Sequence, residues 1–257
     1  ESRGIITKIE KRKNYIIRKS VNLSKQTHII ASNIDYCFLF VTPSNPNTST
    51  LFIDRVLLST KSFGIETIIL FNKLDIYSKD DIEYIDELFN TYTKIGYQCL
   101  KISVKKRVNI DKVEKFMNNN VSVFTGHSGV GKTSLMNELD SELNLKTSKI
   151  SKQNEQGQHT TTFAEMFDLN NGAKIIDSPG IKGFGLIDIE KSEIGGFFPE
   201  IASLSIDCKF NNCLHYNEPN CAIKKALENN QISNFRYNNY LSLLNNDEDN
   251  FRTNSFK

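Results

Sequence analysis

Read as apolar and polar positions, the first thirty residues hold only short β-rich pieces, Gly4-Ile5-Ile6-Thr7 and Tyr15-Ile16-Ile17, separated by basic turns. Two or three strands do not form a stable unit alone. This stretch therefore reads as the end of a small β domain that begins upstream of Glu1. From about residue 31 the rhythm changes. Ile34 to Val41 is an apolar run of strand length, followed by the turn Pro43-Ser44-Asn45-Pro46. Thr50 to Phe63 places Phe52, Ile53, Val56 and Leu57 at helical spacing and closes on Gly64 in a C-cap position. Thr67 to Phe71 predicts a buried strand, Asp80 to Ile95 an amphipathic helix, Gln98 to Ile102 a strand and Asp111 to Asn118 a helix. Val121 to Phe124 and Ala173 to Ile176 predict two more strands. Such alternation predicts an α/β fold, a mostly parallel sheet covered on both faces.

After about residue 187 come a cysteine cluster, a polar helical stretch with Phe235, Tyr237 and Tyr240, and an Asn-rich tail. A chain of 257 residues is long enough for two or three units. The expected division is 1–30, 31–187 and 188–257.

Composition adds little until it is read locally. No run approaches the roughly 20 apolar residues that span a bilayer, and residues 1–25 are too charged for a secretory signal, so a cytoplasmic location is expected. A net charge of +2 conceals eight Lys or Arg against two Glu within residues 1–25. A basic arm of this kind suits a phosphate-rich partner, and it is also what a solvated surface strand carries. Five cysteines, an odd number, argue against a closed disulfide framework. Cys37 and Cys99 lie in strand-like apolar runs and read as small buried hydrophobes.

The chemistry begins at Gly126-His127-Ser128-Gly129-Val130-Gly131-Lys132-Thr133, which fits G-x-x-x-x-G-K-[ST] between an apolar strand and a helix over Lys132 to Leu139. Its glycines turn backbone N–H groups toward phosphate oxygens at a helix N-terminus. Lys132 is expected to reach the β and γ phosphates, the Thr133 hydroxyl to ligate Mg²⁺, and Ser134 to line the same site. Asn72-Lys73-Leu74-Asp75 follows a buried strand, at the sheet edge where α/β proteins bind ligands. The Asp75 carboxylate accepts from guanine N1–H and N2–H₂, donors that adenine lacks. Ser103-Val104-Lys105 resembles the third base-contacting element of GTPases, usually Ser-Ala-Lys, and Ser103 and Val104 are expected to touch the base. Asp177-Ser178-Pro179-Gly180 matches D-x-x-G, with Asp177 holding Mg²⁺ through water and Gly180 N–H sensing the γ-phosphate. Between these lies Gly157-Gln158-His159-Thr160-Thr161-Thr162, in which Thr160, Thr161 and Thr162 compete for the role of switch threonine. Ile181 stands where many GTPases place a water-orienting Gln, and an aliphatic side chain orients no water. His159 is the candidate to supply that function, against a loop histidine with no role.

Cys208-x₄-Cys213-x-His215-x₅-Cys221 places three sulfurs and one nitrogen within fourteen residues, the donors of a closed tetrahedral zinc site.

Taken in order, the base elements precede the phosphate loop and D-x-x-G comes last, the rotated order of circularly permuted GTPases. Together with Ser178-Pro179-Gly180-Ile181, Phe184-Gly185-Leu186, Phe198-Pro199-Glu200 and the Cys/His run, it resembles the RsgA/YjeQ family of bacterial small-subunit-dependent GTPases. The resemblance covers roughly Gly4 to Asn245. It implies the end of an OB-fold barrel, a permuted P-loop GTPase domain and a small helical zinc domain. It also implies GTP and GDP with Mg²⁺, one structural Zn²⁺, and the 30S subunit with its 16S rRNA as partner. Neither DNA nor a membrane is expected as a partner, and the chain is expected to act as a monomer in late 30S maturation, with weak intrinsic hydrolysis stimulated by the subunit. Rivals are a permuted GTPase of the large subunit and an RNA-binding zinc protein that holds GTP as a structural ligand. Since D-x-x-G runs into the zinc domain, nucleotide state is expected to leave along that short connection.

Overall fold

The structure is a computed structural model that describes residues 5–19, 27–145, 164–177 and 189–245. It opens with an antiparallel pair, β1 (Tyr15–Lys19) and β2 (Thr27–Ser32). A doubly wound unit follows: β3 (Tyr36–Val41), α1 (Thr50–Ser62), β4 (Glu66–Phe71), α2 (Lys79–Lys94), β5 (Gln98–Lys101), α3 (Ile110–Met117), β6 (Val121–Thr125), α4 (Lys132–Leu139), β7 (Glu165–Asp168) and β8 (Lys174–Asp177). Four helices complete the described chain: α5 (Lys191–Ile194), α6 (Pro199–Leu204), α7 (Ala222–Glu228) and α8 (Asn234–Leu244). None of them is long and apolar enough to cross a membrane.

The six-stranded sheet runs β5-β4-β3-β6-β8-β7, parallel throughout except for the antiparallel edge β7. Strand side chains alternate between faces. Cys37, Leu39, Val41, Ile69 and Phe71 pack under Ile53, Val56 and Leu57 of α1 and Ile85, Leu88 and Tyr92 of α2. On the other face Phe38, Phe40, Ile68, Leu70 and Phe124 meet Ile110, Val113 and Met117 of α3 and Leu135 and Met136 of α4. Burial on both faces is why these strands read as unbroken apolar runs. The helices start where local chemistry dictates. Ser49 Oγ accepts from Phe52 N at 3.2 Å, and Ser78 and Asp81 form a reciprocal capping box on α2. Gly64, at φ +68°, takes the chain out of α1.

Two features differ from the expected pattern. Residues 5–12 carry no strand, and Ile5, Ile6 and Ile9 are more than 80% exposed. Extended backbone gains its ladder hydrogen bonds only from a neighbouring strand, and none lies beside these residues among those described. Conversely, β7 is a strand that periodicity missed. Only Phe167 of its four residues is even half-buried, so this polar edge leaves no apolar rhythm.

Helices α5 to α8 gather a third core around Phe198, Ile201, Ile223, Tyr237 and Tyr240, and Leu58 of α1 belongs to it. The C-terminal helices therefore share buried surface with the sheet-bearing unit.

Candidate functional site

The chain leaves β3 toward β4 on one side and returns through β6 on the other. The crevice at the carboxyl ends of β3 and β6 is therefore the topological switch point where α/β sheets bind ligands. Gly126 to Thr133 lies there, between β6 and α4. A Cβ on Gly126 (φ +140°) would sit 2.8 Å from Phe40 O, and one on Gly131 (φ +107°) 2.4 Å from Asn72 Nδ2. Only glycine lets the loop lie this close to its neighbours. Val130 is fully buried and anchors the loop in the core. Gly129 also has positive φ, and Thr133 and Ser134 follow Lys132 in the first turn of α4. Lys132 Nζ donates to Gly126 O at 2.8 Å and His127 O at 2.9 Å. The His127 ring stacks on Phe52 with centroids 4.3 Å apart.

The base-loop residues converge on the same crevice. Asn72 is buried; its Nδ2 donates to Val130 O at 2.9 Å and its Oδ1 accepts from Val104 N at 3.3 Å. One amide thus ties the loops after β4, β5 and β6 together. Lys73 takes a left-handed conformation, φ +70°, and donates from Nζ to Asn45 O at 2.6 Å. Leu74 N donates to Ile102 O at 3.3 Å. Ser103 Oγ donates to Asp75 Oδ1 at 2.5 Å and accepts from Lys106 N at 3.1 Å, which aligns the carboxylate.

Asp177 ends β8. Burial raises its carboxyl above the ordinary value, Lys132 pulls it down and Glu165 pushes it further up. Glu165 faces Asp177 across the β7–β8 register, and like charges placed directly opposite repel. An oxygen-only donor set with excess negative charge suits a hard cation, so Thr133 and Asp177 fit Mg²⁺. His159, Thr160, Thr161 and Gly180 lie outside the described residues.

Burial lowers the Lys132 pKa to about 8, against the pull of Asp177. Phosphate binds the ammonium form and holds its proton. Nucleotide affinity is therefore expected to be level below about pH 8 and to fall as pH rises further, approaching tenfold per unit. Titration of a fluorescent GDP analogue across this range checks it; a flat affinity would show that Lys132 keeps its proton throughout.

The four predicted sulfur and nitrogen donors also converge. Ligand atoms of Cys208, Cys213, His215 and Cys221 all lie within 4.8 Å of one another, with His215 Nδ1 3.5 Å from both Cys208 Sγ and Cys221 Sγ. Glu218 accepts from Leu214 N, Tyr216 N and Asn217 N at 2.6, 2.8 and 3.0 Å, shaping the His215 turn. Tyr237 OH and Tyr240 OH donate to His215 O and Leu214 O, each at 2.7 Å. Burial pushes the Cys213 thiol up to about 12 and the His215 imidazole down. Neutral imidazole is the ligating form, and a divalent ion supplies the charge that stabilises thiolates here. The donor set fits zinc.

Sequence reasoning missed the buried group that joins the two regions. Arg236, on α8, donates from Nε to Glu200 Oε1 at 2.6 Å and from Nη2 to Glu200 Oε2 at 3.0 Å, and its Nη1 pairs with Asp54 of α1. Asp54 also accepts from Tyr92 OH at 2.7 Å and Asn239 Nδ2 at 2.6 Å. The available signal was a lone carboxylate inside the apolar stripe of α1, between Ile53 and Val56.

A G-x-x-x-x-G-K-[ST] loop and an N-K-x-D loop on a doubly wound sheet, with N-K-x-D earlier in the chain, are the arrangement of a circularly permuted P-loop GTPase. The RsgA GTPase family model matches residues 9–187, and the chain belongs to that family. It is 56% identical over 252 residues to the small ribosomal subunit biogenesis GTPase RsgA of Flavobacterium psychrophilum, covering 97% of this chain and 77% of that protein. To the protein of the same name from Christiangramia forsetii it is 53% identical over 257 residues, covering 100% and 82%. Among solved structures, YjeQ from Thermotoga maritima superposes with a TM-score of 0.76 at 31% identity, covering 93% of this chain and 77% of that one. YloQ, described as a circularly permuted GTPase, gives a TM-score of 0.70 at 26% identity, covering 95% and 83%.

Proposed function

We propose that this chain hydrolyses GTP during late maturation of the small ribosomal subunit and that the subunit stimulates it. The observation that carries the reading is the Asn72 amide, hydrogen-bonded to the phosphate loop and to the Ser103–Val104 loop, because drawing these loops into one crevice supports joint recognition of base and phosphate. Asp75, held by Ser103, would read guanine, with Leu74, Lys73 and Val104 forming the walls. Gly126 to Lys132 would cradle the phosphates, and Lys132 would exchange its two loop carbonyls for phosphate oxygens. Thr133 and Asp177 would hold Mg²⁺, which when bound neutralises phosphate charge. Thr160, Thr161 or Thr162 would close over the site and Gly180 N–H would sense the γ-phosphate. His159 would orient the attacking water, a role that Ile181 cannot fill. Cys208, Cys213, His215 and Cys221 would hold one structural zinc ion.

The division into 1–30, 31–187 and 188–257 belongs to the same reading, as do monomeric action and 16S rRNA as partner. Lys8, Lys11, Arg12 and Lys13 are exposed and would meet rRNA phosphates, with affinity that falls as salt rises.

Multiple-turnover hydrolysis of GTP and ATP, alone and with isolated 30S or 50S subunits, tests this. Slow GTP turnover, raised by 30S alone and by as much as ~10⁵-fold, is expected. His159→Ala is expected to lose ~10²–10⁴-fold of the stimulated rate. A parental rate in that variant removes His159 from the mechanism. Absence of stimulation favours the rival in which GTP is a structural ligand.

A further inference from the structure

Helix α1 touches both regions. At its first turn Phe52 stacks on His127 of the phosphate loop, rings 4.3 Å apart and inclined by 30°. Just before that turn, Asn45 O accepts from Lys73 of the base loop at 2.6 Å. Two residues past Phe52, fully buried Asp54 is held by Arg236, Asn239 and Tyr92. The Arg236 guanidinium also lies over the Phe198 ring, 4.4 Å from its centroid, and grips Glu200 of α6. On the same helix, Tyr237, the next residue, and Tyr240, one turn along, hold the carbonyls of His215 and Leu214. His127 is thus joined by its stack on Phe52 to helix α1, and α1 by the Asp54–Arg236 contact to the helix whose tyrosines hold the turn that carries a metal-site histidine.

A buried ion group tolerates few arrangements. Sliding α1 along α8 would take Asp54 from Arg236 and Asn239 and leave a desolvated carboxylate without its cation, while Arg236 keeps Glu200. The two helices therefore move as one piece, and Phe52 is a point where that piece meets the phosphate loop.

We propose that Phe52 is a positioning residue for the phosphate loop, and that the Asp54–Arg236 pair makes its placement depend on the Cys/His module. Nucleotide binding and zinc retention are then linked through α1, a route separate from the covalent connection at 178–188. The proposal rests on the nucleotide and zinc readings given above. The sign follows from the contacts. A phosphate loop ordered by nucleotide holds Phe52 and α1, and the module opens less often to release its metal. Coupling between equilibrium affinities is reciprocal, so zinc loss must weaken nucleotide binding by the factor by which nucleotide strengthens zinc binding.

The test uses the full chain loaded with zinc, a zinc-selective chromogenic chelator and excess Mg²⁺, with and without a non-hydrolysable GTP analogue. Zinc content and nucleotide affinity are measured on the same samples. The analogue is expected to slow zinc release by about fivefold or more. Phe52→Ala should bring this ratio close to one, whereas Phe52→Tyr, which keeps the ring, should retain it. If both ligands bind and the unsubstituted chain gives a ratio of one, or faster release, the inference is overturned and the site reading stands. A ratio that survives Phe52→Ala overturns it as well and assigns the coupling to residues 178–188. Failure to bind nucleotide or zinc rejects the site reading and the inference with it.

Discussion

Arg236→Ala is expected to lower the unfolding free energy by about 3–5 kcal/mol, among the largest effects of any single side chain here. The Arg236 side chain is 2% exposed, and the carboxylates it serves, Asp54 and Glu200, are 0% and 7% exposed. Truncation leaves both acids in a water-excluded space. Most of the loss is therefore uncompensated charge rather than lost attraction. Arg236→Lys should recover only part of it, because an ammonium cannot reproduce the fork that meets both oxygens of Glu200 while pairing with Asp54. Burial pushes the Asp54 carboxyl above its ordinary value, and Arg236, Tyr92 and Asn239 pull it back. Without the guanidinium it rises further. A raised folded pKa contributes stability below the unfolded value, and that contribution is lost as pH rises through the folded one. The deficit of Arg236→Ala relative to the parent should accordingly be smallest in acid and grow toward neutrality. Urea unfolding followed by far-UV circular dichroism at several pH values reads this directly, the chain having no tryptophan. A deficit below about 1 kcal/mol at neutral pH, the scale of an exposed ion pair, would mean that the site is hydrated.

The second large effect concerns base choice. Asp75→Asn is expected to weaken guanine nucleotides by about 10³-fold or more while opening the site to xanthine nucleotides. Ser103 Oγ donates to Asp75 Oδ1, so an asparagine there keeps its carbonyl oxygen on Ser103 and turns its amide nitrogen toward the second base position. Guanine presents an amino donor at that position, and two donors then face each other. Xanthine presents a carbonyl and accepts. Competition of GDP, XDP and ADP against a fluorescent nucleotide separates these outcomes. Unchanged GDP affinity in the variant would place the base elsewhere.

Much of the site was legible because its chemistry is local. A phosphate loop needs its glycines and Lys132 at fixed spacing, since consecutive backbone N–H groups must point at one anion. The strands before it showed as apolar runs because both of their faces are covered. Asn72 was legible only in part. The four-residue motif placed it at the base, whereas its bridge to Val130 spans 58 residues and exists only after β4 and β6 have been set on either side of β3. The edge strand β7 left no trace, having too little buried surface to require apolar residues. The exposed isoleucines at 5, 6 and 9 produced a strand-like pattern without a strand beside it to complete the ladder.

Local sequence by itself determined the alternating elements, the phosphate and base loops, and the four donors of the Cys/His cluster, because each depends on residues close together in the chain. Tertiary structure alone decided the strand order, the meeting of three loops at Asn72 and the seating of α8 on α1. Arg236 and Asp54 are 182 residues apart, and no local propensity or periodicity relates them. Asp54 reads singly as a misplaced charge in the apolar stripe of α1, and Arg236 as an ordinary cation in a polar helical stretch. Only when the helices pack do the two join, with Glu200, in a water-excluded ion group that ties the Cys/His module to the helix touching the phosphate loop.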